Sequence, residues 1–581
     1  MDTSLRRSAA TLATYLAGLR VRVAVLGTLL IGGTLLQLTG PQLLRLFIDD
    51  AVGGAPAQRL YVFAGLFIAA TVVTQIALVG AAYLSEQVGW TATNRLRADL
   101  LAHCLRLDLP FHNAHSPGGM IERVDGDVTA LSDFFSQFVL RILGGLLLLT
   151  GVLALLMYEE WRVGLALTAF VVFAMVVISR ARAYAVPAVN AERDASAELY
   201  GFIEERLGAV DDIRANGAGA YVMQRSFGVA GHLIRTARRA QILSGGLWSL
   251  ATGLFTFSYV LVLALGALLY QRGEVTIGAV YLFFQYTQIL RRPLEQIADQ
   301  LKEFQRAAAA VGRVNELLAL EPILHEGTRD GAVDGAAAVE FDHVSFAYDA
   351  REPVLRDIDF TLAPGSVVGV LGRTGGGKTT LTRLLLRLYD PTEGVVRLDG
   401  VDLRALRAAE LRRRIGVVTQ DVQLVAGSVR DNLTLFDPAI TDARIGDAID
   451  GLGLGDWVRS LPDGLDTMLA AGGAGLSAGE GQLLAFARIF LRDPGLVILD
   501  EASSRLDPAT EHLIERAVDR LLTGRTGIVI AHRLHTVERA DVVMVIEHGR
   551  IAECGERTAL AGDASSRYAG LLRAGAGAVA V

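Results

Sequence analysis

The 581-residue chain has little charge, few cysteines and almost no lysine. Charged residues make up 20% of it, against about a quarter in ordinary soluble domains, and the mean hydropathy is +0.39. This composition excludes an ordinary soluble protein. The net charge of −7 gives no basic footprint, so we expect no nucleic-acid partner. Cys104 and Cys554 fall in different predicted domains, so no disulfide framework is expected.

Lysine is the scarcest of the charged residues. Of 55 basic residues only Lys302 and Lys378 are lysines, and the rest are arginines. A GC-rich genome is the simple explanation. Against that background, a lysine kept at one place indicates a task that arginine cannot perform. The N-terminal segment has no short apolar core ending in a small-residue cleavage site, so no cleaved signal peptide is predicted.

Long apolar runs dominate the first half. A membrane-spanning helix needs about 20 mainly apolar residues. Five runs qualify and a weaker sixth follows them, at residues 23–44, 60–84, 142–158, 163–179, 247–270 and 277–290. Such a density of runs argues against buried helices of a large soluble core. We therefore predict an all-α, six-helix transmembrane domain over residues 1–306 of a multi-domain protein embedded in the lipid bilayer.

Arginines concentrate in the two long connections, at 85–140 and 180–245, and are sparse in the short ones. By the positive-inside rule the long connections are cytoplasmic. A multi-pass protein of the inner (plasma) membrane with both termini in the cytoplasm follows. Apolar spacing at 91–107 and 191–213 predicts that the membrane helices continue into the cytosol. Breakers at Pro117-Gly118-Gly119 and Gly217-Ala218-Gly219 predict turns that point away from the bilayer.

The composition changes after the sixth run. Residues 307–338 are predicted to form a linker, because their second half is polar and rich in Gly and Asp. Beyond it, short runs of Val, Ile and Leu alternate with helical patterns, as is typical of strands buried on both faces. The runs are at 367–371, 415–418, 496–499, 528–531 and 542–546. Residues 339–581 are thus predicted to form an α/β domain.

A phosphate-binding loop is predicted where the first of these runs ends. Residues 372–379 read GRTGGGKT and fit G-x-x-x-x-G-K-[ST], directly before a helical pattern. Glycines let backbone N–H groups turn toward phosphate oxygens, and the helix presents its positive end. Lys378 would place a compact charge on the β- and γ-phosphates where a planar guanidinium would not fit. The nucleotide contacts are assigned to Gly372, Arg373, Thr374, Gly375, Gly376, Gly377, Lys378, Thr379 and Thr380, with the Thr379 hydroxyl also on Mg²⁺.

Carboxylates end the run at 496–499. With a phosphate loop in the same domain, we expect Asp500 to hold Mg²⁺ through water and Glu501 to orient or deprotonate the attacking water. His532 follows the run at 528–531 and could contact the γ-phosphate. Glu501 and His532 are therefore the candidate catalytic residues.

These residues resemble the nucleotide-binding domain of ABC transporters, and the whole chain resembles a half-transporter of the exporter type. The resemblance implies ATP as the nucleotide and two such domains stacked head to tail, with ATP between the P-loop of one and the signature motif of the other. It implies coupling helices near residues 111–120 and 218–226. It also implies that Tyr348 stacks on adenine, that Gln420 binds Mg²⁺, that Asp507 lies in the D-loop, that His532 is the switch histidine, and that Ser477 and Gly479 belong to the signature.

The signature departs from the family. LSGGQ appears as LSAGE at 476–480, so Glu480 brings a negative charge toward the γ-phosphate of the opposite ATP. At roughly 7 Å and an effective dielectric near 20, the repulsion is about 2 kcal/mol. The acidic loop usual just before it reads AAGG at 470–473, and Gly376 replaces the usual P-loop serine. Ser477 and Glu480 still fit a capping box. We predict a heterodimer in which a different half-transporter supplies an intact signature to this chain's Glu501.

The substrate is less constrained. Polar residues of the predicted spans tend to face the bundle interior; they are Gln37, Thr74, Gln75, Thr256, Tyr259, Gln285, Tyr286 and Gln288. No acidic residue lies within the apolar runs, so a small amphipathic or lipid-like substrate, a drug or an amphipathic peptide is expected. The alternatives are an importer of siderophore type, a homodimeric lipid or drug exporter, and an ATP-gated channel or regulatory subunit, the last disfavoured by Glu501.

Overall fold

The structure, a computed structural model, describes residues 14–330, 335–349, 352–373, 375–419, 422–470, 476–500, 508–531 and 534–578. The chain divides into two compact units. The first runs up to Arg106 and resumes from Ala114 to Glu321, and the second holds Leu107–Asn113 together with the chain from Pro322 onward. Each is described separately below.

The first half of the chain is helical throughout. Its helices are α1 (Arg20–Val52), α2 (Ala57–Cys104), α3 (Leu109–Ala114), α4 (Pro117–Ile121), α5 (Asp127–Gln137), α6 (Gly144–Glu159), α7 (Trp161–Gly208), α8 (Val210–Ala215), α9 (Gly219–Gln271) and α10 (Ile277–Leu318). A 3₁₀ turn precedes α1, and π-helical turns flank α5. The six predicted spans fall on α1, α2, α6, α7, α9 and α10, except that the first two residues of the third span, 142–143, lie in the π-helical turn before α6.

Of the six helices that carry the predicted spans, all except α10 are long and apolar enough to cross a membrane within the described residues. Helix α10 packs against α1, α6 and α9 in the same bundle. Its apolar stretch ends at Arg291 and Arg292, and the helix continues for a further 26 residues to Leu318. The sixth span is therefore one end of a long helix whose other end is charged.

The membrane helices do extend beyond their apolar runs, as predicted. Helix α2 continues to Cys104, α7 continues to Gly208, and α9 begins at Gly219. Gly217 has a φ of +67° and separates α8 from α9, which confirms that break. The other break was misplaced: Pro117 is the first residue of α4, and the Ser116 hydroxyl caps that helix by accepting from the Gly119 N–H. The break lies just before Ser116, because proline suits the first turn of a helix.

The linker is shorter and better anchored than its composition predicts. Helix α10 occupies residues up to Leu318, so the predicted start at 307 is too early. Farther on, Arg329 N–H donates to the Ala405 carbonyl (2.9 Å), and Arg407 N–H donates to the Arg329 carbonyl (3.0 Å). The Leu324 N–H donates to the Asp108 carboxylate (3.1 Å). Residues 322–330 therefore belong to the second unit and do not form a separate flexible linker.

The strands of the second unit are β1 (Val339–Ala347), β2 (Pro353–Leu362), β3 (Val367–Gly372), β4 (Glu393–Leu398), β5 (Val401–Asp402), β6 (Ile415–Val418), β7 (Gly427–Ser428), β8 (Met468–Leu469), β9 (Leu496–Asp500), β10 (Thr526–Ile530), β11 (Val542–Glu547) and β12 (Arg550–Glu556). The central sheet has the order β12-β11-β3-β10-β9-β6 and is parallel except for β12. A second, antiparallel sheet has the order β2-β1-β4-β5, and β7 pairs with β8.

Helices cover the central sheet. They are α11 (Lys378–Leu385), α12 (Ala408–Arg414), α13 (Val429–Thr434), α14 (Asp442–Leu452), α15 (Gly455–Ser460), α16 (Ala478–Arg492), α17 (Pro508–Leu522), α18 (Arg557–Gly562) and α19 (Arg567–Ala578). Along β9, Val497 and Leu499 join a core with α16 and α17, whereas Leu496 and Ile498 join a second core with α11 and β1. Burial on both faces explains the continuous apolar runs and confirms the α/β prediction.

Candidate nucleotide-binding site

Three neighbouring parallel strands end at one edge of the central sheet. The order is β3-β10-β9, with Val370 of β3 paired to Ile530 and Ile530 paired to Asp500. Neighbouring strands lie about 4.8 Å apart, so the ends of β3 and β9, which carry the P-loop and Asp500, are about 10 Å apart. Glu501 and His532 lie outside the described residues, but they follow Asp500 and Ala531 directly in the chain. Among the described residues, the start of the P-loop and Asp500 therefore lie at the same sheet edge.

Glycine is required at two positions of the loop. Gly372 has a φ of +156°, and a Cβ there would lie 2.3 Å from the Ile546 carbonyl oxygen. Gly377 has a φ of +104°, and its Cβ would lie 2.6 Å from Leu355 Cδ2. Gly377 is also the N-cap of α11, so the free N–H groups of that helix open on the loop. This backbone is a cradle for phosphate oxygens.

The Lys378 side chain packs inside the P-loop. Its side chain is 5% exposed, and Nζ donates to the carbonyls of Gly372 (2.6 Å) and Arg373 (3.1 Å). A buried ammonium at a helix N-terminus matches a polyphosphate in charge and in size. The Thr379 hydroxyl and the Asp500 carboxylate are oxygen donors of the kind Mg²⁺ prefers. Thr374 and Gln420 lie outside the described residues.

Tyr348 follows β1 and keeps 45% of its surface exposed. Its hydroxyl lies 3.1 Å from Thr380 Oγ1 and accepts from Arg383 Nη1 at 3.0 Å. Tyr389 packs edge-on against its ring at a centroid distance of 5.1 Å. The Arg383 guanidinium also lies over the ring, 5.8 Å from its centroid, so the half-exposed ring is held against the helix that starts in the P-loop. Sequence reasoning missed Arg383 and Tyr389; the helical spacing of Thr380 and Arg383 was the available signal.

The segment predicted to be the signature, residues 476–480, lies at the start of helix α16. Ser477 is the N-cap, and the capping box predicted with Glu480 is present: the Glu480 N–H donates to Ser477 Oγ (3.3 Å), and the Ser477 N–H donates to Glu480 Oε2 (2.7 Å). Glu480 Oε1 also accepts from Trp457 Nε1 at 2.9 Å, a contact no sequence pattern indicated. Gly479 is buried and Ser477 is exposed. Asp507 lies outside the described residues.

Comparison with known proteins fits this geometry. The sequence pattern of the ABC transporter transmembrane region matches residues 23–294, and that of the ABC transporter family matches residues 355–504. A fatty acid ABC transporter ATP-binding/permease protein of Mycobacterium tuberculosis is 32% identical over 466 residues, 80% of this chain and 74% of that protein. A multidrug resistance ABC transporter ATP-binding and permease protein of Lactococcus lactis is 29% identical over 534 residues, 91% and 89% of the two chains.

A solved structure also matches nearly the whole chain. It is that of a bacterial Atm1-family ABC exporter with ATP bound, with a TM-score of 0.78, 25% identity, and coverage of 96% of this chain and 98% of that one. Fold, P-loop geometry and sequence agree. The chain belongs to the ABC transporter family, as a multi-pass, ATP-driven exporter that fuses a transmembrane helical region to an ATP-hydrolysing nucleotide-binding domain.

Proposed function

We propose that this chain is one half of an exporter built from two non-identical half-transporters in the plasma membrane, with both termini in the cytoplasm. The chain would contribute the hydrolysing P-loop face to one ATP site and the altered signature to the other. The observation that carries the proposal is the position of Glu480 at the start of α16.

A helix N-terminus attracts an anion because its first N–H groups are unpaired and its dipole is positive there. In this chain the Glu480 carboxylate already occupies that position, accepting from the Ser477 N–H at 2.7 Å and from the Trp457 indole at 2.9 Å. An incoming γ-phosphate would meet both a negative charge and an N–H group that is in use. We infer that the ATP site completed by this signature hydrolyses slowly.

On the P-loop face the one departure noted from the family, Gly376, introduces no charge. Lys378 is seated in the loop and Asp500 ends the strand two places away. We assign Mg²⁺ to Thr379, Asp500 and Gln420, adenine to Tyr348, and the hydrolytic step to Glu501 and His532, with Asp507 nearby. Paired with an intact signature from another chain, this face would form the competent site.

The test is ATPase activity of the purified chain, alone and with a second half-transporter that carries LSGGQ. We expect the pair to hydrolyse ATP at least tenfold faster per P-loop. Glu501→Gln in this chain should remove most of that gain, while the same exchange at the partner's equivalent position should not. Equal ATPase rates for the single chain and the pair would contradict the proposal.

The similar solved structure is that of an ABC exporter, and the Lactococcus lactis relative is a multidrug resistance transporter; both support transport outward. Inside-out vesicles that contain the pair, with the nucleotide domains exposed to added ATP, should accumulate an amphipathic substrate in the lumen. ATP-dependent loss of substrate preloaded in the lumen would instead indicate an importer.

A further inference from the structure

A half-open cavity of about 210 Å³ lies between α1, α2 and α10 in the transmembrane unit. Its wall contains four of the eight polar residues that the sequence assigned to the bundle interior. The lining residues are Leu36, Gln37, Gly40, Pro41, Leu44, Phe67, Thr71, Thr74, Gln75, Leu78 and Gln285. Three glutamines from three separate helices thus meet at one place within an apolar bundle.

The hydrogen-bonding groups of this cavity are neutral. Pro41 has no N–H, so the Gln37 carbonyl lacks the helical donor that it would otherwise have. The Thr71 and Thr74 hydroxyls donate to carbonyls one turn earlier, each at 2.8 Å, and keep their acceptor capacity. Gln75 is exposed and lines the cavity. Gln285 Nε2 donates to the Tyr281 hydroxyl at 2.6 Å, so Gln285 presents mainly its amide oxygen, while Gln37 and Gln75 bring both amide donors and acceptors to the cavity wall.

A second cavity of about 180 Å³ adjoins the first and shares Leu44 and Phe67 with it. Its wall has only apolar side chains, which are Leu43, Leu44, Phe47, Phe63, Ala64, Phe67 and Ile68. A polar chamber and an apolar chamber with a common wall match a molecule with a polar head and a hydrocarbon tail.

The lack of charged residues around the two cavities limits the kind of polar head group that can bind. No residue that lines either cavity is charged. The next cation along α1 is Arg45, and its guanidinium is ion-paired with Glu159 and lies 3.7 Å from the Asp49 carboxylate. A carboxylate or ammonium head would therefore lose its hydration without gaining a counter-ion.

We propose that the two cavities form one binding site for an uncharged amphiphile, with its hydrogen-bonding head among Gln37, Gln75 and Gln285 and its tail against Phe63 and Phe67. The inference deepens the proposed export function and rests on it only for transport, because both cavities belong to a single chain.

The test measures equilibrium binding to the full chain in phospholipid nanodiscs. The probes are radiolabelled 1-monolauroylglycerol, laurate and dodecyltrimethylammonium, which share a twelve-carbon tail and differ in head charge. We expect saturable binding of monolauroylglycerol at least tenfold tighter than that of either ion. Removing two methylenes from its tail should weaken binding about tenfold, at roughly three- to fourfold for each methylene.

Variants locate the site. Gln75→Leu and Gln285→Leu should each weaken monolauroylglycerol binding five- to tenfold, since each leaves a polar head group unpaired. Gln288→Leu is the matched control, because Gln288 lies one turn from Gln285 on the same helix but lines neither cavity; it should change binding less than twofold. Ala64→Phe fills the apolar cavity and should shift the preferred tail to fewer carbons, which provides a test independent of the glutamines.

Equal affinity for laurate, or an equal loss in Gln288→Leu and Gln75→Leu, would overturn the inference. So would an unchanged tail preference in Ala64→Phe. These results are distinct from failure of the proposed pairing, which is read from ATPase rates of the single chain and the pair. The binding test can therefore succeed when the ATPase test of pairing fails, and the ATPase test can succeed when the binding test fails.

Discussion

Glu480→Gln isolates the charge at the signature helix from its structural role. The present carboxylate accepts from the Ser477 N–H and the Trp457 indole, one oxygen for each. An amide has one acceptor oxygen and can keep only one of these contacts. Glutamine is nevertheless an accepted capping-box residue. Losing one hydrogen bond and the favourable interaction with the helix dipole should lower the free energy of unfolding by about 1 to 2 kcal/mol.

The gain on the functional side is larger. A unit charge roughly 7 Å from a phosphate charge, at an effective dielectric near 20, is repelled by about 2 kcal/mol. Its removal corresponds to about a 30-fold gain in ATP affinity where this signature closes on nucleotide. In the purified single chain, whose ATP sites would all use this signature, we expect the ATP concentration at half-maximal rate to fall by a comparable factor.

The assay is steady-state ATPase of the single chain in nanodiscs across a wide range of ATP concentration. Glu480→Asp keeps the charge at the same position and should behave as the native chain. Ala478→Gly tests separately whether the added methyl group matters. If Glu480→Gln is folded by thermal melting but shifts the half-maximal ATP concentration by less than twofold, the electrostatic argument is refuted.

Two further substitutions test single contacts. Lys378→Arg should lower ATP binding at least 100-fold by a fluorescent-nucleotide titration, because a guanidinium cannot occupy the space in which Nζ lies 2.6 Å from the Gly372 carbonyl; native-like binding would contradict this. Arg313→Ala should lower the free energy of unfolding by about 2 kcal/mol, because Asp127 is 3% exposed and Arg313 is its ion-pair partner. Arg313→Lys should recover part of that loss in denaturant titrations.

The central sheet could be read from the sequence because its strands are buried on both faces. The run at 415–418 coincides with β6, and the run at 542–546 lies one residue short of β11. The antiparallel sheet was not predicted. In β1, buried Val339 and Phe341 alternate with less buried Glu340 and Asp342. Such alternation indicates a half-buried strand, so this signal was present in the sequence but was overlooked beside the continuous apolar runs of the central sheet.

Contacts made by the backbone or across long stretches of chain had almost no signal in the sequence. The pairing of Arg329 with Ala405 and Arg407 uses only N–H and carbonyl groups. Gly327 was the only sequence sign of this pairing, because a Cβ there would lie 2.3 Å from the Ala405 backbone. The indole of Trp457 reaches Glu480 across 23 residues. Local sequence patterns predicted the membrane helices, the central strands and the P-loop. The long-range contacts described here form only in the assembled fold.

The contact of Trp457 with Glu480 also changes how the altered signature is interpreted. From sequence, Glu480 is only an unfavourable charge near a phosphate. In the structure its carboxylate accepts from the N-cap N–H of α16 and from an indole donor, so it stabilises the helix start. The same N–H cannot serve a phosphate and a carboxylate together. Stability of the helix start and phosphate binding therefore compete at this residue, which is the physical reason for proposing that this signature completes only one of the two ATP sites of a pair.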